Sequence, residues 1–178
     1  MTATGQYRDL SIIDSITWAV KTYPALPAVR TANGVLTYSE LGDVVTAFSS
    51  MIHEATAPGE FIAIKAERNV ASIAALLAAL GAGRPFVFLD PRDSDGRNAE
   101  KADLLGIRFI SVSTDNGVAP RLIDLPHQWL PTETKTPVVS NDRQIAYAIH
   151  TSGSTGQPKC VVVALEQLGS VIEDHVTR

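Results

Sequence analysis

The chain has a single cysteine among its 178 residues, Cys160, so it cannot close an internal disulfide, and no group of Cys and His stands at zinc-ligand spacing. That poverty of thiols fits a reducing compartment, and the cytoplasm is the expected location. Basic residues are not in excess: 15 Lys and Arg face 19 Asp and Glu, a net charge of −4, which argues against a broad face for nucleic acid or an anionic membrane. A secretory leader or membrane anchor is also missing from view. The start, "MTATGQYRDLSIIDSI", is not a basic stretch followed by a long apolar one. The longest nearly apolar run, "VASIAALLAALGAG", is too short to span a bilayer. No internal repeat and no low-complexity tract occurs. What remains is 45% hydrophobic and 19% charged, the composition of an ordinary soluble protein. A chain of this length buries about 70% of its unfolded surface, and residues 1–178 read as one domain.

Hydrophobic spacing lays out an α/β order. An opening helix is expected around Ile12 to Val20. A small hairpin follows, with Ala28 to Thr31 and Val35 to Thr37 joined at Asn33-Gly34, a pair that tolerates positive φ. Thr37 stands three residues before Glu40, a capping-box pattern, and Leu41, Val44, Val45, Phe48 and Ile52 then recur at helical spacing up to Glu54. "FIAIK" reads as a strand and "PFVFL" as another. Between them "NVASIAALLAALGAG" reads as a helix with Val70, Ile73, Ala74, Leu77 and Leu80 on one face. "SDGRNAEKADLLG" and "IRFISV" repeat the helix-strand alternation, which predicts a mostly parallel sheet flanked by helices. Residues Asn116 to Asn141 carry four prolines and read as a surface connection with a short strand at Arg121 to Leu125. "QIAYAIH" and "KCVVVAL" are then expected as strands, and Glu166 to Arg178 as a helix.

Between those last two strands lies "HTSGSTGQPKC". Gly153 and Gly156 let successive N–H groups converge on one concavity, where they bind an anion as a nest. Thr151, Ser152, Ser154 and Thr155 add hydroxyl donors, and Lys159 adds a point charge. A triphosphate suits such a set. A polar, flexible turn has the same composition, and composition alone leaves both readings open. Two other motifs fail. The P-loop wants Gly-Lys-Ser/Thr opening a helix, whereas Lys159 follows Pro158 and leads into valines; a nucleophile elbow wants one more residue and again a helix. His150 is expected as a structural, hydrogen-bonded histidine and Cys160 as a small buried apolar residue. Trp18 and Trp129 are expected in packing.

"YAIHTSGSTGQPKCVVV" resembles the phosphate loop of the acyl-adenylate-forming (AMP-binding) superfamily, which includes nonribosomal peptide synthetase adenylation domains, acyl-CoA synthetases and luciferases. "PALPAV", "LTYSELGDVV" and "LLAALGAGRPFVFLDPRDSDGR" are similar to the adenylation-domain branch, in order and across nearly the whole chain. The resemblance implies the N-terminal portion of an ATP-dependent ligase that activates a carboxylic or amino acid as acyl-AMP and releases pyrophosphate. It implies ATP contacts at Thr151, Ser152, Gly153, Ser154, Thr155, Gly156 and Lys159, with no catalytic residue assigned. Gly81, Gly83 and Asp90-Pro91 are read as a helix end and a turn. Mg²⁺ is the expected partner of the nucleotide, its ligand coming mainly from outside this stretch. His150 stands where the family usually has tyrosine, Cys160 where it has glycine, and Leu165 where histidine is common.

Family members are much longer, and their acid pocket, adenine segment, ribose-binding aspartate and C-terminal lysine have no counterpart here. The chain ends at "VIEDHVTR", within an expected helix, so truncation is expected, with little or no activity in isolation. The remainder of the adenylation domain, or a complementing chain, is the expected partner, and a carrier protein the favoured acceptor. Two alternatives stay open: a short pseudoenzyme that scaffolds a protein partner, and a simple nucleotide binder.

Overall fold

A computed structural model describes residues 12–31, 34–114, 117–126, 144–152 and 158–176. Eight strands and five helices occur among them: α1 (Ile12–Thr22), β1 (Pro27–Thr31), β2 (Gly34–Thr37), α2 (Tyr38–Ala55), β3 (Ile62–Lys65), α3 (Val70–Gly81), β4 (Phe86–Leu89), α4 (Asp95–Leu104), β5 (Phe109–Ser113), β6 (Pro120–Asp124), β7 (Ile145–Ser152), β8 (Pro158–Ala164) and α5 (Leu165–Val176). β1 and β2 form a separate antiparallel ribbon. The other six make one sheet in the order β6-β5-β3-β4-β7-β8. Its four inner strands are parallel, and each edge strand runs antiparallel to its neighbour. The expected mostly parallel sheet is present. The expected strand at Arg121 to Leu125 is β6, one residue earlier.

Local chemistry starts the helices. Thr37 Oγ1 accepts from the Glu40 amide at 3.3 Å while Glu40 Oε2 accepts from the Thr37 amide at 2.8 Å, so the expected capping box forms. Asn69 caps α3 by accepting from the Ser72 amide at 3.0 Å, and Ser94 caps α4. Gly83 ends α3 at φ 64°, the conformation that a side chain resists.

The sheet divides two cores. Ile62, Ile64 and Phe86 pack on one face with Phe48 and Ile52 of α2 and the alanines of α3. Ala63, Val87 and Leu89 pack on the other with Ala102 of α4, Leu105 and Ile107. Strand alternation requires this division. Right-handed crossovers require the rest: β3 to β4 and β4 to β5 step in opposite directions, so α3 and α4 must lie on opposite faces. The α3 face agrees with the expected one only in part. Val70, Ala74 and Leu80 are buried as expected, together with Ala71, Ala75, Ala78 and Ala79, while Ile73 is 40% exposed. Small residues let the helix approach both α2 and the sheet, which a row of isoleucines and leucines would hold apart.

Arg84 is buried at 7% exposure and has no carboxylate partner among the described residues. Its Nε donates to Thr56 Oγ1 at 2.9 Å, one terminal nitrogen to the Thr56 carbonyl at 2.9 Å and the other to the Ala82 carbonyl at 2.8 Å. It therefore joins the carboxyl ends of α2 and α3, where helix dipoles favour a cation. Arg84→Ala, which strands these carbonyls in the interior, is expected to destabilise the fold by about 2–3 kcal/mol, read from urea midpoints. Arg84→Lys is expected to recover only part of that, because a point charge cannot serve three fixed acceptors.

At the opposite end Glu67 binds Lys65 (2.8 Å), Asn69 (2.8 Å) and Ser113, tying β3, the start of α3 and β5 together. The hydrogen bond from Lys65, then that from Ser113, holds its carboxyl below its ordinary value of 4.5. A depressed carboxylate stabilises above its unfolded pKa, and the contribution disappears as pH falls through the lower folded value. Glu67→Gln is therefore expected to lose less stability than the parent protein on acidification below pH 4.5, measured as the change in urea midpoint from neutral pH.

Candidate functional site

All four parallel strands deliver their carboxyl ends to one edge of the sheet, at Lys65, Leu89, Ser113 and Ser152. Open α/β sheets bind ligands at this edge, where the chain reverses its direction of winding. The site is built there from the β7–β8 hairpin and the segment following β4.

The hairpin is longer than its sequence suggests. β7 continues past His150 to Ser152, and β8 begins at Pro158, so residues 153–157 join the two strands. Pro158 is tolerated because β8 is an edge strand. Cα partners run Ile149↔Val161, His150↔Cys160, Thr151↔Lys159 and Ser152↔Pro158. Of the seven residues expected to hold phosphate, Thr151 and Lys159 are thus brought onto one rung, both exposed to solvent. Ser152 occupies the last rung. Gly153, Ser154, Thr155 and Gly156 lie outside the described residues, as does Trp129.

One rung back, His150 and Cys160 face α4. Cys160 lies in plain strand, half-buried against the core shared with α4, and burial pushes its thiol up from 9.0. It is a packing residue with an uncharged thiol, as expected. His150 is hydrogen-bonded to the Lys101 backbone, as expected, while its Nε2 is enclosed and has no hydrogen-bond partner among the described residues. Burial, and secondly the charge of Lys101, lower its pKa below 6.5, while the hydrogen bond with the Lys101 backbone opposes them.

Lys101 is the residue that sequence reasoning missed. It is 8% exposed on α4 and its ammonium binds Asp93, which also faces Arg97 at 3.7 Å. Asn98, one turn earlier, donates to the Asp90 carbonyl at 3.0 Å. Arg92 clamps the Asp90 carboxylate at 2.6 Å and, by that hydrogen bond, holds it well below the usual carboxylate range. The signal was present: Asn98, Lys101, Ala102 and Leu105 follow helical spacing, so Lys101 occupies a place where an apolar residue belongs. The Asp90-Pro91 turn is confirmed, with the Asp93 amide bonded to the Asp90 carbonyl at 3.1 Å.

Beside this polar cluster the sheet opens. β4 and β7 pair at Phe86↔Tyr147 and Val87↔Ala148, with Phe86 and Tyr147 stacked at 5.7 Å. Past them lies a cavity of about 660 Å³ walled by Ile16, Leu76, Leu77, Phe88, Ile149 and Leu168 and bordered by Lys101 and His150. Phe88 and Ile149 are 41% and 47% exposed. Among the described residues no helix is long and apolar enough to cross a membrane, and no three His, Cys, Asp or Glu are grouped to hold a metal.

Comparison with known proteins agrees with this geometry. The family described as AMP-binding enzyme matches residues 16–176. Nonribosomal peptide synthetase AMT10 of Alternaria alternata is 32% identical over 154 residues, 79% of this chain and 17% of that protein. Nonribosomal peptide synthetase 8 of Aspergillus fumigatus is 34% identical over 164 residues, 85% of this chain and 2% of that protein. The chain thus spans a small part of these relatives. Among solved structures, the nonribosomal peptide synthetase FmoA3 in its alpha-methyl-L-serine-AMP bound form superposes on 95% of this chain and 20% of its own, with a TM-score of 0.74 at 21% identity. The N-terminal subdomain of Klebsiella oxytoca NpsA does so on 87% of this chain and 42% of its own, with a TM-score of 0.66 at 22% identity. Sheet order, hairpin and a family match over nearly the whole length make this chain a member of the AMP-binding enzyme family, related to the adenylate-forming domains of nonribosomal peptide synthetases.

Proposed function

We propose that this chain supplies the ATP phosphate loop of an adenylate-forming ligase, which activates a carboxylic or amino acid as acyl-AMP and releases pyrophosphate, and that in isolation it carries out little or none of that reaction. The observation behind the reading is the Thr151–Lys159 rung: a hydroxyl-bearing and an ammonium-bearing residue, both exposed and paired across the hairpin near the end of β7. An exposed cation beside a hydroxyl donor fits an anionic phosphate tail, and the two would hold its terminal groups. ATP supplies an electrophilic α-phosphorus and a pyrophosphate leaving group. Lys159, Thr151, Ser152, Ser154, Thr155 and the amides of Gly153 and Gly156 then stabilise the charge that builds on the departing oxygens. The magnesium ligand would come mainly from outside this stretch; among the described residues no three His, Cys, Asp or Glu are grouped to hold a metal.

The acceptor we favour is a carrier protein, because a fold neighbour is described as a nonribosomal peptide synthetase protein containing adenylation and PCP domains. The rest of the adenylation domain is the natural partner of this chain. The exposed Phe88, Ile149 and Val161 also suit a second reading, a scaffold that docks a protein on its apolar face. Such a complex would be indifferent to Lys159→Ala.

Titrating inorganic pyrophosphate into the folded chain by calorimetry separates these readings. Lys159→Ala is expected to weaken binding about tenfold, the equivalent of ~1.4 kcal/mol. Joining the chain to the remainder of an adenylation domain is expected to restore acid-dependent ATP–pyrophosphate exchange. Equal affinities for parent and variant, or no exchange from a folded reconstituted protein, would overturn the assignment.

A further inference from the structure

His150 Nε2 is a buried polar atom without a partner among the described residues, at a general cost of about 1–3 kcal/mol. It stands one residue from the proposed phosphate loop. Alternation along β7 sends Thr151 and His150 to opposite faces, and the His150–Cys160 rung is the one directed at α4. There it meets Lys101, whose ammonium is turned to Asp93. A chain of contacts therefore runs from the segment after β4, through α4, to the root of the loop.

Resting on the phosphate-loop reading above, we propose that His150 is a positioning residue: neutral, it seats the root of the β7–β8 loop on α4, and protonated, it unseats it, so that the grip on a polyphosphate loosens in acid. The surroundings enforce this. From α4 His150 faces the Lys101 cation, itself engaged by Asp93, and hydrogen-bonds the Lys101 backbone, which favours the charged ring but is outweighed by burial and the cation; from β8 it faces the Cys160 thiol, which burial keeps uncharged; Val87 and Leu89 of β4 and Ala148 of its own strand are apolar. A second positive charge in that setting meets like-charge repulsion from Lys101 and, among the described residues, has no carboxylate of its own to balance it. The sign follows. Unfolded, the imidazole takes its proton near 6.5, whereas in the fold it does so only at lower pH, so the seated state is fully present above 6.5 and is lost as pH falls through the depressed value.

The test uses the whole chain with inorganic pyrophosphate as probe. His150→Phe keeps a planar ring that cannot titrate, and its pH profile reports the probe's own ionisation. The ratio of parent to His150→Phe affinity is expected to fall about tenfold between about pH 7.5 and about pH 5; a flat ratio overturns the proposal. Lys101→Met removes the cation, and burying methionine in place of a paired lysine is compatible with folding. It is expected to move the His150 midpoint, followed by ring proton resonances, upward toward 6.5, whereas a purely structural histidine contact would leave the loop indifferent to that midpoint. The Thr151 and Lys159 amide resonances decide between seating and mere proximity: they must shift with the His150 midpoint in each protein. Should pyrophosphate bind at no pH, the phosphate-loop reading fails, and these resonances still judge the seating, which is sustained if they track His150 and refuted if they stay fixed.

Discussion

Parallel pairing of β3 with β4 and β5, and of β4 with β7, is the constraint from which the rest follows. Parallel strands share a carboxyl edge, so chain segments far apart in sequence must emerge beside one another. Here the segments after β4 and β7 do so, and Asp93, Lys101 and His150 meet although 57 residues separate the first from the last. The reversal of winding at β4 adds the second condition by placing α3 and α4 on opposite faces. One face can then be devoted to close packing of alanines and the other to a helix that carries a buried lysine.

The burial of Lys101 shows how such an architecture takes a charge into its interior. An ammonium at 8% exposure is tolerated because Asp93 reaches it from the preceding loop, and its long apolar stem lies where a hydrophobic residue would pack. Arg84 is the counterpart at the other edge, held by hydrogen bonds to helix-end carbonyls. Both cations join elements that the hydrophobic core alone would leave free to slide.

The open cavity beside β4 and β7 has a different origin. Two parallel rungs suffice to hold Phe86 against Tyr147, after which Phe88 and Ile149 retain much of their exposure. Apolar side chains of that size on a sheet face belong against another layer, in keeping with a chain that spans a small part of its relatives.

Local rules acting within a few residues were legible in the sequence: the Thr37–Glu40 capping box, the strand-helix alternation, the glycine stop of α3, and the hydroxyl, glycine and lysine composition of the loop. These depend on backbone geometry and spacing, which the sequence states directly. The family resemblance rested on the same short motifs, and the fold bears it out. The remainder was decided by tertiary structure. Which face of α3 is buried depended on how closely α2 and the sheet approach it, so Ile73 lies outside and the alanines inside. The strands of the hairpin lengthened by Thr151, Ser152 and Pro158 because pairing across β7 and β8 continued where propensity alone would have stopped. The setting of His150 was invisible in its neighbours along the chain, because an imidazole's charge state is set by what packs against it, and the decisive neighbour, Lys101, comes from another element of the sheet's α4 face.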